Sequence, residues 1–123
     1  MRFKKYNDKV YGINYCFVFD VVDVKKIQEF LDKKDKKIAR WYKSIDVDNT
    51  IPFAGKTIKN TNNILVLIKK DKDASFVIAT LVHELLHALF FVFGERGIEI
   101  QQGGGNEHAT YYLDHLVYEA LRK

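Results

Sequence analysis

The segment that covers residues 74–93 constrains the fold more than any other part of the chain. It contains no glycine or proline, is apolar on nearly every side and is followed directly by Gly94. Such a segment forms a long helix most of whose surface must be covered. A chain of 123 residues can cover it with one hydrophobic core, but has no room for a second independent domain. We therefore expect a single domain over residues 1–123.

The same segment is almost long enough to cross a membrane. Residues 76–93 would roughly span the hydrocarbon core of a bilayer. However, His83, Glu84 and His87 lie in the middle of the segment, where an ionisable side chain is costly in lipid. Basic residues also do not flank the segment asymmetrically. We therefore expect a buried helix and no membrane contact.

The rest of the chain carries further strand and helix patterns. Apolar side chains at alternate positions predict a strand within residues 10–22, and helical spacing predicts a basic helix over 24–41. A short strand is expected at 56–59, and a strand buried on both faces at 64–68. Helical spacing returns over 107–121. The fold class expected is α+β, with a small, mostly antiparallel sheet packed against the 74–93 helix and a C-terminal helix.

Two connecting segments are predicted from residues that form turns. Residues 46–63 hold the only proline, Pro52, with several Asn and Asp residues. Residues 95–102 are expected to connect the last two helices, with a short extended piece at 98–100. Three glycines at 103–105 predict a flexible joint, and Asn106 is a good N-cap for the final helix.

Cysteine content and the N-terminal sequence indicate the compartment. Cys16 is the only cysteine, so the chain has no internal disulfide and no cysteine-rich zinc ribbon. Its place in an apolar strand predicts a buried structural thiol. The first residues carry charge without an apolar run, unlike a secretory signal. The expected location is cytoplasmic.

Positive charge is concentrated early in the chain, whose formal net charge is +4. We interpret this run as the solvated face of a helix, because nucleic-acid binding is usually accompanied by a more basic domain and a recognisable motif. Nucleic acid is therefore not the expected partner, and no feature of the sequence sets an oligomeric state. The cations concerned are Lys33, Lys34, Lys36, Lys37, Arg40 and Lys43.

An H-E-x-x-H sequence, formed by His83, Glu84 and His87, lies inside the segment predicted to be helical. A spacing of four places the two imidazoles roughly 40° apart on adjacent turns, close enough to bind one tetrahedral zinc ion. Glu84 is placed to take a proton from a water at the metal. The alternative is that the histidines are satisfied core residues. The metal site is favoured because uncompensated ionisable groups are costly to bury.

A catalytic zinc site requires a third protein ligand. A third histidine six residues after the second would need glycine at position 90 and histidine at 93, where this chain has Phe90 and Phe93. We expect Glu107, at the start of the last helix, to be the third ligand. His108 is the reserve candidate, about 100° further round the helix axis. The weaker candidates are Glu95 and Glu99.

The combination of His83-Glu84-x-x-His87 with Asn106-Glu107 at the start of a later helix resembles the gluzincin arrangement of zinc metallopeptidases. The small size is similar to minimal gluzincins, including ImmA/IrrE-like peptidases and short HExxH proteins of bacteriophages and mobile elements. The resemblance covers residues from about 63 to 121.

The resemblance implies a zincin-like domain and one Zn2+ per chain, held by His83, His87 and Glu107, with Glu84 as general base. It also implies that an edge strand, here expected at residues 63–70, pairs with an extended peptide substrate.

The chain departs from the gluzincin pattern at Tyr111, where an acidic residue often follows the third ligand by one helical turn. Asp114 returns to nearly the same helix face as Glu107 and is a candidate to orient His83 or His87, although a solvated aspartate fits its position equally well. No catalytic role is assigned to the aromatic residues nearby, which at helical spacing are more often core residues. These are Tyr111, Tyr112 and His115.

Two functions follow from these observations. The first is a zinc-dependent peptidase, in which Glu84 removes a proton from the attacking water and passes it to the departing amine. The alternative is a non-catalytic, metal-stabilised binding or regulatory protein that contacts nucleic acid or an acidic partner through its basic helix. In that case His108 would complete a closed zinc site. A weaker third hypothesis is a degenerate peptidase without metal.

Overall fold

The computed structural model describes residues 1–45, 54–100 and 107–123. These residues form an α+β fold, as the sequence predicts. The expected proline turn at Pro52, the glycine joint at 103–105 and the cap at Asn106 lie outside the described residues. In chain order the elements are β1 (Arg2–Asp8), β2 (Ile13–Val21), α1 (Ile27–Lys34), α2 (Lys36–Ser44), β3 (Gly55–Lys59), β4 (Asn63–Lys69), α3 (Ala74–Glu95) and α4 (Glu107–Leu121).

The sheet has the strand order β1-β2-β4-β3. The pairs β1–β2 and β3–β4 are antiparallel and β2–β4 is parallel, so the prediction of a mostly antiparallel sheet is confirmed. The prediction that residues 63–70 form an edge strand is wrong, because β4 lies between β2 and β3. Strand order depends on pairing between distant segments, and the edge on that side is β3.

Both faces of the sheet are buried, which explains the continuous apolar runs of β2 and β4. One set of alternate β2 side chains, which includes Tyr15 and Phe17, packs with α3 and α4. The other set, which includes Cys16 and Val18, packs with α1 and α2. The basic segment therefore covers the second face of the sheet as well as presenting its lysines to solvent.

Several element boundaries differ from the predictions. The expected helix over 24–41 is interrupted at Asp35, whose extended backbone and side chain cap α2. The strand expected within 10–22 begins only at Ile13, after a turn in which Gly12 has a φ of 70°. Strand β1 was not predicted. Residues 98–100 form no strand.

Helix α3 begins after Asp73, whose carboxylate accepts hydrogen bonds from the backbone N–H groups of Ser75 and Phe76. By length and composition it is the one helix of the described residues that could cross a membrane, with 39% of its most apolar window buried. Only one side packs on the sheet, so the expectation that most of the helix surface is covered is wrong. Four large apolar side chains on α3 stay exposed: Phe76, Ile78, Leu86 and Phe90.

Candidate metal centre

His83 and His87 lie one turn apart on the exposed side of α3. Their Nε2 atoms are 3.2 Å apart, and the two rings are nearly perpendicular, at 82°. The side chain of His83 is 68% exposed and His87 is exposed as well. The expectation that the histidines are buried is therefore wrong, and among the three motif residues only Glu84 is buried. Two nitrogens bound tetrahedrally at zinc–nitrogen distances of about 2.0–2.1 Å would be roughly 3.3 Å apart. The pair therefore already has the spacing of two zinc ligands, which is also the spacing at which one neutral imidazole donates to another.

Glu84 lies on the flank of α3 that faces β3 and is only 6% exposed. Its Oε1 accepts a hydrogen bond of 2.8 Å from the Thr57 hydroxyl, which also lies 3.0 Å from the Glu84 carbonyl oxygen. Its Oε2 is 3.9 Å from Nε2 of His83. One carboxylate oxygen is thus held by the sheet, while the other lies beside the histidine pair.

The edge strand β3 approaches α3 closely because it carries Gly55 at the point of contact. A Cβ atom at this position would lie 2.7 Å from Cγ2 of Thr80 and 2.9 Å from Cγ of Glu84. A cleft of about 390 Å³ opens here between β3 and α3. It is lined by Ala54, Gly55, Ala79, Thr80, His83 and Glu84.

We expect Gly55→Ala to lower the free energy of unfolding by about 1–3 kcal/mol, because the added methyl group must displace Thr80 and Glu84. Urea denaturation measures this change. The matched control is Gly94→Ala near the end of α3, where a Cβ meets nothing within 4 Å and stability should be unchanged or higher by up to about 1 kcal/mol. Equal stability of the Gly55 variant and the parent would contradict the close approach of β3 to α3.

The direction of α3 follows from its contacts with β3. Later residues of the strand meet later residues of the helix, since Gly55 lies against Thr80 and the Lys59 ammonium lies 5.5 Å from the centre of the Phe91 ring. Helix α3 therefore runs parallel to β3 and antiparallel to β4.

Helix α4 runs in the opposite direction to α3. It is antiparallel to β1, because Tyr112 donates to Asp8 and the carbonyl of Arg122 accepts from Lys4. Since β1 is antiparallel to β2, and β2 is parallel to β4, α4 is parallel to β4.

This arrangement places Glu107 near the end of α3 rather than beside the histidines. The Tyr112 ring stacks on Phe93, with centroids 5.7 Å apart, and Phe93 lies more than a turn beyond His87. Glu107 precedes Tyr112 by more than one turn of α4. Because α4 runs opposite to α3, Glu107 lies still further from His87 than Tyr112 does. Among residues 1–45, 54–100 and 107–123, no group of three or more His, Cys, Asp or Glu side chains could hold a metal ion.

The cleft beside His83 and Glu84 lies between α3 and β3, and no residue of α4 lines it. The expectation that the site lies between the last two helices depends on Glu107 as a ligand and stays a prediction. Glu107 as third ligand stays a prediction, and so do the weaker candidates Glu95 and Glu99.

The other α4 candidates lie away from the histidine pair. His108, Tyr111, Tyr112 and His115 line a separate pocket beside β1. Asp114 is exposed, and no hydrogen bond within the described parts of the chain joins it to His83 or His87.

Cys16 is buried, as predicted. Burial raises the pKa of its thiol to about 11, so the thiol is protonated near neutral pH and is a poor nucleophile.

Thr57 and Gly55 are the site residues that sequence reasoning missed. The short strand was predicted, but only the strand order places it against Glu84. No local motif marks either residue.

Comparison with known proteins adds no family to these observations. No protein-family model, curated protein or solved structure matches the chain.

Proposed function

We propose that this protein is a zinc-dependent peptidase whose centre is built on His83, His87 and Glu84. The observation that carries the proposal is the 3.2 Å separation of the two histidine Nε2 atoms, with the Glu84 carboxylate 3.9 Å from one of them. Two convergent imidazoles and a neighbouring carboxylate are the groups that hydrolysis by a metal-activated water requires.

The histidine pair fits two positions of a tetrahedral zinc ion, and Glu107 is the third ligand that we propose on the basis of the sequence. A zinc ion bound there would act as a Lewis acid on the scissile carbonyl and on the attacking water.

Glu84 acts in this proposal as the general base. Because Thr57 holds Oε1, the orientation of the carboxylate is fixed and Oε2 is the oxygen that accepts the proton of the water. The same oxygen then delivers the proton to the nitrogen of the departing amine. Glu84 is buried, so few water molecules can compete for the proton that is transferred.

The edge strand supports a peptide as the substrate class. β3 pairs with β4 on one side, and no described strand pairs with its other side. This edge of β3, which no described strand covers, runs beside the cleft, where an extended peptide could add to the sheet by main-chain hydrogen bonds. The scissile bond would then lie next to the histidine pair.

Removal and return of the metal tests the proposal. We expect the protein purified without chelator to hydrolyse fluorescently labelled casein, to lose this activity after dialysis against a zinc chelator, and to regain it with one equivalent of zinc. Metal content is measured on the same samples by mass spectrometry. Hydrolysis that persists in the metal-free protein would overturn the proposal, and so would a zinc-loaded protein without any hydrolysis of unfolded substrates.

A further inference from the structure

A second pocket, of about 350 Å³, lies on the side of α4 that faces β1 and the turn after it. It is separate from the cleft at His83, and the proposed peptidase does not use it. It is lined by Asp8, Val10, Tyr11, His108, Tyr111, Tyr112 and His115.

Asp8 supplies a buried negative charge to this pocket. It is 1% exposed, and its carboxylate accepts hydrogen bonds from the Tyr112 hydroxyl at 2.6 Å and the Val10 N–H at 2.9 Å. Asp8 takes part in none of the ion pairs formed by the described residues. The Arg96 guanidinium donates instead to the carbonyl of Tyr11, at 2.6 Å. A buried carboxylate without a counter-charge is costly, and a cation in the pocket would lower that cost.

Aromatic rings form much of the pocket wall. Tyr11 and Tyr112 pack edge to face, with centroids 5.0 Å apart, and Tyr111 is 68% exposed at the mouth. The faces of such rings attract cations. Burial raises the pKa of Tyr112, so this phenol stays a neutral hydrogen-bond donor to Asp8 near neutral pH.

Two histidines border the pocket. His115 is engaged through Nε2 with the Tyr6 hydroxyl, at 2.5 Å. Asp8 is the one acidic side chain among the residues that line the pocket.

We propose that this pocket binds an alkylammonium group, carried by a small amine or by a lysine side chain. The tyrosine rings contact the alkylated ammonium, and the buried carboxylate of Asp8 attracts it through a medium that screens charge less than water does. The same negative charge disfavours anions. A neutral ligand of the same shape would gain neither attraction.

Titration with choline tests the proposal, followed by NMR through the ring protons of His108 and His115 at slightly alkaline pH. Choline is compared with its uncharged carbon isostere, in which a tert-butyl group replaces the trimethylammonium group. We expect choline to bind at least about tenfold more tightly than the isostere. Equal affinity for the two, or no shift of either histidine with choline at millimolar concentration, would overturn the proposal.

Substitutions separate the charge of Asp8 from its structural role. Asp8→Asn should weaken choline binding by about tenfold, whereas Asp114→Asn, at an exposed position of α4, should leave it unchanged. Tyr111 lies at the exposed mouth of the pocket, and Tyr111→Ala should weaken choline binding about two- to fivefold. This variant tests the pocket even if the Asp8 variant does not fold. Unchanged affinity in the folded Asp8 variant, or in the Tyr111 variant, would contradict the assigned contacts.

A lysine derivative identifies the source of the ammonium group. Acetyl-lysine amide with a free side-chain ammonium is titrated beside choline. If the lysine derivative binds more tightly, the proposal holds with a lysine side chain as the ligand. If choline binds more tightly, the proposal holds with a small amine as the ligand. His87→Ala should not change either affinity, so this test is independent of the proposed peptidase.

Discussion

Glu84→Gln is expected to reduce the rate of casein hydrolysis by a factor of roughly 10²–10⁴, the range that a general base contributes. Glutamine has nearly the shape of glutamate, and its amide oxygen can still accept the hydrogen bond from Thr57. It has no basic oxygen to take the proton of the attacking water. The fold and the zinc content should therefore persist. Initial rates of the zinc-loaded proteins, with metal content measured on the same samples, give the comparison.

Glu29→Gln is the matched control for this variant. It removes the same charge from an exposed position on α1, across the sheet from the histidines, and its hydrolysis rate should equal that of the parent. Full activity in the Glu84 variant would show that Glu84 is not the base. Loss of zinc together with activity would show instead that Glu84 holds the metal.

The sequence predicts the two long helices well, because the signals for them are local. The helix expected over 74–93 begins at Ala74, after the cap at Asp73, and extends to Glu95. Helix α4 covers the full predicted range, Glu107–Leu121. In α4 the apolar spacing also reports which side packs on the sheet, whereas α3 is apolar on nearly every side and its pattern does not.

The missing strand β1 shows what local patterns do not contain. Its alternate residues are charged or partly exposed, since it is an edge strand of the sheet. Its conformation is fixed by pairing with β2, and Lys5 forms an ion pair of 2.6 Å with Asp35. Asp35 is also the residue that interrupts the predicted basic helix. Both features depend on residues that are distant in the sequence.

The same reasoning explains which part of the candidate site was predictable. His83, Glu84 and His87 are contiguous on one helix, so helix geometry alone brings them together. Thr57 reaches Glu84 only because β3 is the edge strand beside α3. The position of Glu107 relative to the histidines was not predictable for the same reason, because the direction of each helix follows from the strand order.

The basic segment and the candidate metal centre lie on opposite faces of the sheet. Helices α1 and α2 pack on one face, and α3 with its histidines packs on the other. Binding of an acidic partner to the lysines would therefore leave the cleft at His83 open. Both the regulatory hypothesis and the peptidase hypothesis include a bound metal, so zinc content alone does not distinguish them. Hydrolysis that depends on Glu84 does.

His87→Ala is expected to weaken zinc binding at least about 100-fold, because loss of a group that only supports a metal ligand already costs 10–100-fold. The variant removes one of two imidazoles whose Nε2 atoms are 3.2 Å apart and leaves the packed side of α3 intact. Competition with a chromophoric zinc chelator measures the affinity. His115→Ala, which changes a histidine of the other pocket, is the control and should bind zinc normally. Unchanged affinity in the His87 variant would remove the basis of the proposed centre.

Glu107→Ala, measured in the same titration, decides the third ligand. If Glu107 binds the metal, its removal should weaken zinc binding to a degree comparable with His87→Ala, and zinc must draw the first turn of α4 toward the middle of α3. That movement is required because Tyr112 now holds the start of α4 against Phe93, beyond the histidines. Normal affinity in the Glu107 variant, together with loss in the His87 variant, would exclude Glu107 and leave the histidine pair as the established part of the centre. Weakened binding in both would support Glu107 as the third ligand, with the first turn of α4 moved from the position that the Tyr112–Phe93 contact gives it.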